Sequence, residues 1–415
     1  MGVQGRKPPS RPGFLQWVAL IAASMAASGC LGPAAIRSTR MRYNEVVRAT
    51  NDEQLLMNLV RLRYADSPIF IDLPNITSQF EVAGGTTYPG PGGAQTNFGI
   101  VGLSGHDTPT LSYHPRQGRA VAKSLLNPLS TDLFSVVNAG ARVDQLFWMT
   151  LNDINDVPNA FRATTLVPKV PDENSLFLRG VQLLEAIDDQ GGVELGYSTS
   201  ESDDTASGPI PEGLVQGSDL LGAAKDGYAF RTNQDGRLAL YKREKDLILK
   251  VRPRFTHSPE MEELAQIFHL TPGLSHYKIK SELQPNAERS PLGTYGAGDT
   301  IYLNLRSILQ VMTFLSKGVC VPEEHVRDGE APTTPGPDGR PFNWTGVTTG
   351  NFFVASQKHR PHDAEVAVHY RGYWFFIPRD DVTSRSVLAV LEIILSLQES
   401  DEKTAGPVLT LPIGG

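Results

Sequence analysis

Three histidines and an aspartate share one short stretch, "KHRPHDAEVAVHY", as His359, His362, Asp363 and His369. Neutral imidazoles and carboxylates bind zinc, but a helical metal pair needs i, i+4 spacing and Pro361 interrupts this one. The pattern therefore reads as solvated loop histidines. "GLSGH", Gly102–His106, approaches a nucleophile elbow but carries its second glycine one residue early, which removes the strained turn that exposes the serine. Paired carboxylates stand at Asp203-Asp204, Glu323-Glu324 and Asp380-Asp381. Glycoside cleavage needs two carboxyls facing each other across about 5 to 9.5 Å, and sequence adjacency does not supply that. Asp380-Asp381 precedes an expected helix, where carboxylates complement the dipole. The glycine-rich run Gly84–Gly99 lacks the Gly-Lys-Ser/Thr ending of a phosphate loop and reads as a hairpin tip. Tyr370, Tyr373, Trp374, Phe375 and Phe376 alternate along one segment. At least half of them must face a core, and the others offer a face for sugars or a partner's side chains. No catalytic, cofactor-binding or metal-binding set is complete. Glu323, His325, His359 and His362 are the candidates that a hydrolase would use.

The chemistry with a definite address is at the N-terminus. Arg6, Lys7 and Arg11 precede the apolar run "FLQWVALIAASMAA", Phe14–Ala27, with no acidic residue among them. This is the secretory-signal pattern, and the run is shorter than the roughly 20 residues a spanning helix needs. Ala27-Ser28-Gly29-Cys30 then resembles the lipobox of bacterial lipoproteins, in which the cysteine thiol is acylated and the signal removed just before it. That resemblance implies lipidation at Cys30, residues 1–29 as a cleaved signal peptide and 30–41 as an acylated tether. Two or more acyl chains anchor a protein stably, at about 0.8 kcal/mol per buried methylene. Leu31 stands where an aspartate would favour the inner membrane, which implies the outer membrane.

Composition narrows the partners. The chain has 415 residues and a formal charge of −7, which falls to −10 once Arg6, Lys7 and Arg11 leave with the signal. An acidic surface repels phosphate, so nucleic acid is excluded as a partner. There are two cysteines, and acylation of Cys30 leaves Cys320 alone, so no intramolecular disulfide holds the mature chain. Cys320 sits between valines in "GVCVP" and reads as a buried, inert thiol.

The elements that must position these residues form a mixed pattern. Thr50 and Glu53 make a capping box, which predicts a helix starting there, with Leu55, Leu56, Leu59, Val60 and Leu62 on its apolar face. Ile69–Val82 reads as a strand with an irregularity at Pro74, and Phe98–Leu103 and Thr110–His114 as further strands. Helices are expected at Gln117–Leu126, Thr131–Asn138, Asn174–Ile187 and Pro259–Leu270, and strands at Leu247–Val251 and His276–Glu282. "YSTSESDDTASGPIPEG" has almost nothing to bury, so 197–216 reads as a flexible linker or loop between subdomains 42–196 and 217–415. Asp235-Gly236 and Arg371-Gly372 mark hairpins. Tyr302–Ser316 and Ser384–Gln398 read as apolar helices, and Pro407–Gly414 as a terminal edge strand. The expected fold is α+β, a mixed or antiparallel sheet with packed helices in two subdomains.

The segments "NDEQLLMNLVRLRYADSPIFIDLPNITSQF", "RSILQVMTFLSKGVCVPEEH", "YRGYWFFI" and "PVLTLPIG" resemble, in order, those of an uncharacterised family of predicted bacterial lipoproteins of outer-membrane type. The resemblance implies an envelope location and adds no catalytic residue. The expected function is a non-catalytic binding or assembly component of the bacterial cell envelope, held to a membrane through lipid on Cys30 and working with an envelope protein partner. The alternative is an envelope hydrolase acting on glycan or peptide.

Overall fold

A computed structural model describes residues 31–84, 103–115, 119–165, 169–171, 173–232, 237–281 and 298–399. Cys30, the signal region 1–29, most of Gly84–Gly99, the Asp235-Gly236 turn and Pro407–Gly414 lie outside them. The chain clusters into two compact units, Met1–Gln54 and Leu55–Gly415.

Helix α1 runs Leu31–Arg63, twenty residues longer than the capping box at Thr50 implies. Between Ala34 and Arg63 there is no glycine or proline to stop a helix, and Pro33 falls in the first turn, where its missing N–H costs nothing. The Thr50 hydroxyl donates to the Val47 carbonyl at 2.9 Å, so the residue bonds back into its own helix instead of capping it. The expected apolar face is present: Leu55, Leu56, Leu59 and Val60 are buried.

Strands β1 (Ile71–Gly84) and β2 (Leu103–Pro115) pair antiparallel, with a register shift between Asp72 and Asn75 where Pro74 interrupts the ladder. Helices α2 (Arg119–Leu126), α3 (Ser135–Asn138) and α4 (Val143–Thr150) lead into β3 (Leu151–Ile154) and β4 (Val157–Pro158). After α5 (Ser175–Asp189) comes β5 (Val193–Ile210), then α6 (Gly217–Lys225), β6 (Tyr228–Thr232) and β7 (Leu238–Val251). Then follow α7 (Pro259–Ile267), β8 (His276–Ser281), β9 (Thr300–Leu305) and α8 (Ile308–Leu315). The larger sheet has seven strands in the order β4-β3-β9-β8-β7-β5, with β6 also on β7. Among the described strands of this sheet only β8 and β9 run parallel, so the fold is mixed α+β as expected.

Two expectations change here. Residues 197–210, expected as the start of a flexible linker or loop, are part of β5, which pairs with β7 from Val193↔Val251 to Ile210↔Leu238 through several register shifts. Backbone groups along an open sheet edge must find partners whatever the side chains are, so a polar strand can be recruited without burying anything. The sheet draws strands from both sides of 197–216, and Leu55–Gly415 is one unit. The helix expected at Tyr302–Ser316 begins only at Ile308. Ile301, Leu303 and Leu305 alternate inward on β9, and Ser307 then caps α8, with Gln310 returning the bond in a capping box.

The C-terminal portion carries α9 (Glu323–Arg327), α10 (Thr345–Thr348), β10 (Ala355–Gln357), β11 (Ala364–Tyr370), β12 (Tyr373–Pro378) and α11 (Val382–Glu399). The last three strands form a sheet ordered β10-β12-β11. Arg371 and Gly372 both take positive φ, +46° and +82°, as a two-residue hairpin turn requires. Among the described residues, no helix is long and apolar enough to cross a membrane.

Candidate functional site

Strand β12 sorts its aromatic residues by strand alternation. Phe375 and Ile377 are fully buried in the core, whereas Trp374, Phe376 and Pro378 are half-buried on the opposite face. Ala355 on β10 and Ala367 on β11 lie directly across from Phe376. With an alanine on either side, the Phe376 ring forms the floor of a trough. The trough has a volume of about 650 Å³ and is lined by Gln357, Pro361, His362, Asp363, Phe376, Pro378, Arg379 and Asp380. That volume lies in the ordinary range for ligand sites.

Its walls are tied together. The Arg379 N–H donates to the Asp363 carbonyl at 3.0 Å, joining the segment before β11 to the end of β12. Gln357 Nε2 donates to the His359 carbonyl at 2.9 Å. Arg379 Nε lies 3.6 Å from Glu365 Oε2, and Arg385 Nη2 lies 3.5 Å from Glu365 Oε1. The side chains of His362, Asp363 and Asp380, by contrast, have no hydrogen-bond or ion-pair partner among the described residues. The pair Asp380-Asp381 divides its labour. Asp381 Oδ1 accepts from the Ser384 N–H at 3.0 Å in the first turn of α11, as the dipole argument expects, while Asp380 faces the trough.

The hydrolase candidates do not come together. His359 is exposed and His362 lines the trough, while His369 stacks on Trp374 with centroids 5.3 Å apart. Glu323 is exposed, and Glu324 pairs with Lys358 at 3.2 Å. His325 is buried elsewhere, its Nδ1 2.6 Å from the Tyr64 hydroxyl and its Nε2 4.0 Å from Glu330 Oε2. Tyr64 and Tyr373 meet its ring edge-on at 5.7 and 5.0 Å. Burial pushes the Tyr64 phenol well above its ordinary value, so it stays protonated. Beside it, the Tyr370 hydroxyl donates to the Asp66 carboxylate and Arg371 Nη2 reaches the same carboxylate at 3.0 Å. These contacts fasten the β11–β12 turn to the residues after α1. Among the described residues, no group of three His, Cys, Asp or Glu side chains is placed to hold a metal ion. Cys320 is only half-buried, its thiol free, and its N–H bonds the Val354 carbonyl at 2.9 Å.

Two buried cations were not visible in the sequence. Arg306 has no exposed surface. Its Nε donates to Asn152 Oδ1 at 3.1 Å, Nη1 to the Trp148 and Met149 carbonyls at 3.0 and 3.1 Å, and Nη2 to the Asn159 carbonyl at 2.7 Å. Its guanidinium lies 3.9 Å above the Phe314 ring. It therefore caps the last turn of α4, whose carbonyls lack helical partners. Burial lowers its pKa and Asp153 opposes that, but a guanidinium starts so high that it remains charged. Lys317, two residues beyond α8, is 4% exposed, and its Nζ lies 5.0 Å from the Trp344 ring centroid. Burial, assisted by Arg63, pushes its amine down to about 7. Neither position carries a motif: each is a single basic residue beside apolar ones, and only the packing distinguishes it.

No family model, curated protein or solved structure matches this chain.

Proposed function

We propose that this chain is a bacterial envelope lipoprotein, kin to the predicted lipoproteins that its segments resemble. Residues 1–29 serve as a cleaved signal, and acylated Cys30 holds the protein to the outer membrane. The folded body acts there as a non-catalytic binding or assembly component, engaging an envelope partner.

The observation that carries the binding reading is the trough on the β10-β12-β11 sheet, where an apolar floor is rimmed by His362, Asp363 and Asp380, whose side chains have no hydrogen-bond or ion-pair partner among the described residues. Ligand sites combine these two properties. The dispersal of Glu323, His325, His359 and His362 favours this reading over a hydrolase. The location rests on the N-terminal sequence, where the thiol supplies the nucleophile that forms a stable thioether.

The test is metabolic labelling with a radioactive fatty acid, followed by fractionation of cells making wild type or Cys30→Ser. Wild type is expected to carry label and sediment with outer membrane, and the variant to lose both. Equal membrane association without label would overturn the lipoprotein reading.

A further inference from the structure

We infer that the trough over Phe376 binds an uncharged glycan chain. The inference deepens the binding reading above and rests on it. A pyranose ring presents one face of C–H groups with slight positive polarisation, and an aromatic ring presents a negative face to meet it. Phe376 offers such a face, widened by Pro361 and Pro378 and left uncovered by Ala355 and Ala367.

Above that floor a sugar's hydroxyls each need a donor and an acceptor. The rim supplies both kinds. Asp363 and Asp380 accept, Arg379 and Gln357 carry donors, and the His362 imidazole adds a further polar ring edge. Planar side chains of this kind fit hydroxyl pairs, and three of them have no hydrogen-bond or ion-pair partner among the described residues to give up.

Charge selects among glycans. Two carboxylates line the trough against one guanidinium, and Glu365 stands 3.6 Å from that guanidinium. Over Phe376 a phosphate, sulfate or uronate would face the two unpartnered carboxylates, Asp363 and Asp380, with Arg379 already drawn to Glu365, whereas an uncharged sugar meets no such repulsion. The platform also continues. Trp374 lies two residues along β12 on the same face, about 6.6 Å from Phe376 by strand geometry. The exposed Arg360 guanidinium lies over that ring at 5.4 Å and would swing aside for a sugar, and the His369 ring packs against it at 5.3 Å. A second ring in line with the first suits a chain of sugars more than a single one.

The experiment uses detergent-solubilised, full-length protein in calorimetric titrations. The probes are maltotetraose, cellotetraose, chitotetraose, a sulfated chondroitin tetrasaccharide and tetraproline. At least one uncharged oligosaccharide is expected to bind and the sulfated one not to. Phe376→Ala should weaken binding by about tenfold or more, as truncation of an apolar anchor does. Asp363→Asn with Asp380→Asn changes only side chains that make no hydrogen bond or ion pair among the described residues, so a loss of affinity with an unchanged thermal midpoint reads the site independently of stability. The inference is overturned if no uncharged oligosaccharide binds, if the sulfated one binds best, or if neither variant affects affinity. Binding of tetraproline alone would remove the glycan and leave the binding reading standing. Unchanged fractionation of Cys30→Ser would remove the lipid anchor and leave this result untouched.

Discussion

Arg306 and Lys317 show how differently two buried cations can be treated. Arg306 is enclosed by carbonyl oxygens at the end of α4, and its fork reaches four acceptors at once. Arg306→Met should destabilise by about 3 to 5 kcal/mol, because the acceptors are left buried without donors. Arg306→Lys should recover little, since an ammonium cannot span the fork. Urea midpoints of the two variants against wild type check this. Lys317 has the Trp344 ring and the like charge of Arg63 near its ammonium. Its amine titrates at about 7 folded and at 10.5 unfolded. Between those values the unfolded chain holds a proton that the folded chain lacks, so stability rises with pH through that window. Below pH 7 the full penalty of burying the charge applies. Lys317→Met should therefore stabilise by about 1 to 4 kcal/mol at pH 6, with the gain fading toward pH 10. Thermal unfolding at both pH values reads it, and a gain independent of pH would contradict the assignment.

At the scale of elements, close approach decides which residues are tolerated. Gly318 follows Lys317, where Val319 bridges to Val354, and a Cβ there would lie 2.7 Å from the Phe352 carbonyl oxygen. Gly318→Ala should cost about 1 to 3 kcal/mol by forcing the two segments apart, measurable as a lower urea midpoint. The Tyr64 hydroxyl links the end of α1 to α9 through His325. Tyr64→Phe keeps the ring contacts and strands the imidazole, so a loss of about 1 to 2 kcal/mol is expected from the same measurement. The elements most legible in the sequence were those whose apolar spacing had one interpretation, such as α5, α7, the β11–β12 hairpin and α11. Tyr302–Ser316 misled because Leu305 fits both the alternation of β9 and the spacing of α8, and only Ser307 marks the junction. Residues 197–210 misled for the opposite reason, since β5 is held by its backbone and leaves no apolar pattern.

At the scale of the whole molecule, the candidate site was half legible. The aromatic alternation of β12 and the acidic pair at α11 were readable as a face and a cap. The trough was not, because it depends on Ala355 and Ala367 standing across from Phe376, and cross-strand register is set by tertiary pairing. The three-stranded sheet is tied to the residues after α1 through Asp66, so Asp66→Ala should leave oligosaccharide affinity within about twofold of wild type while lowering the thermal midpoint. A matching loss of affinity would show that this tie shapes the trough. The Arg306 cap has one more consequence, which concerns time. The guanidinium and the Met149 carbonyl it satisfies are 157 residues apart in the chain. During synthesis from the N-terminus, α4 must wait for that whole interval before its last turn is closed. Contacts of such separation slow folding. A newly made chain therefore stays open late, and a fragment ending before residue 306 is expected to remain protease-sensitive however well its own helices form.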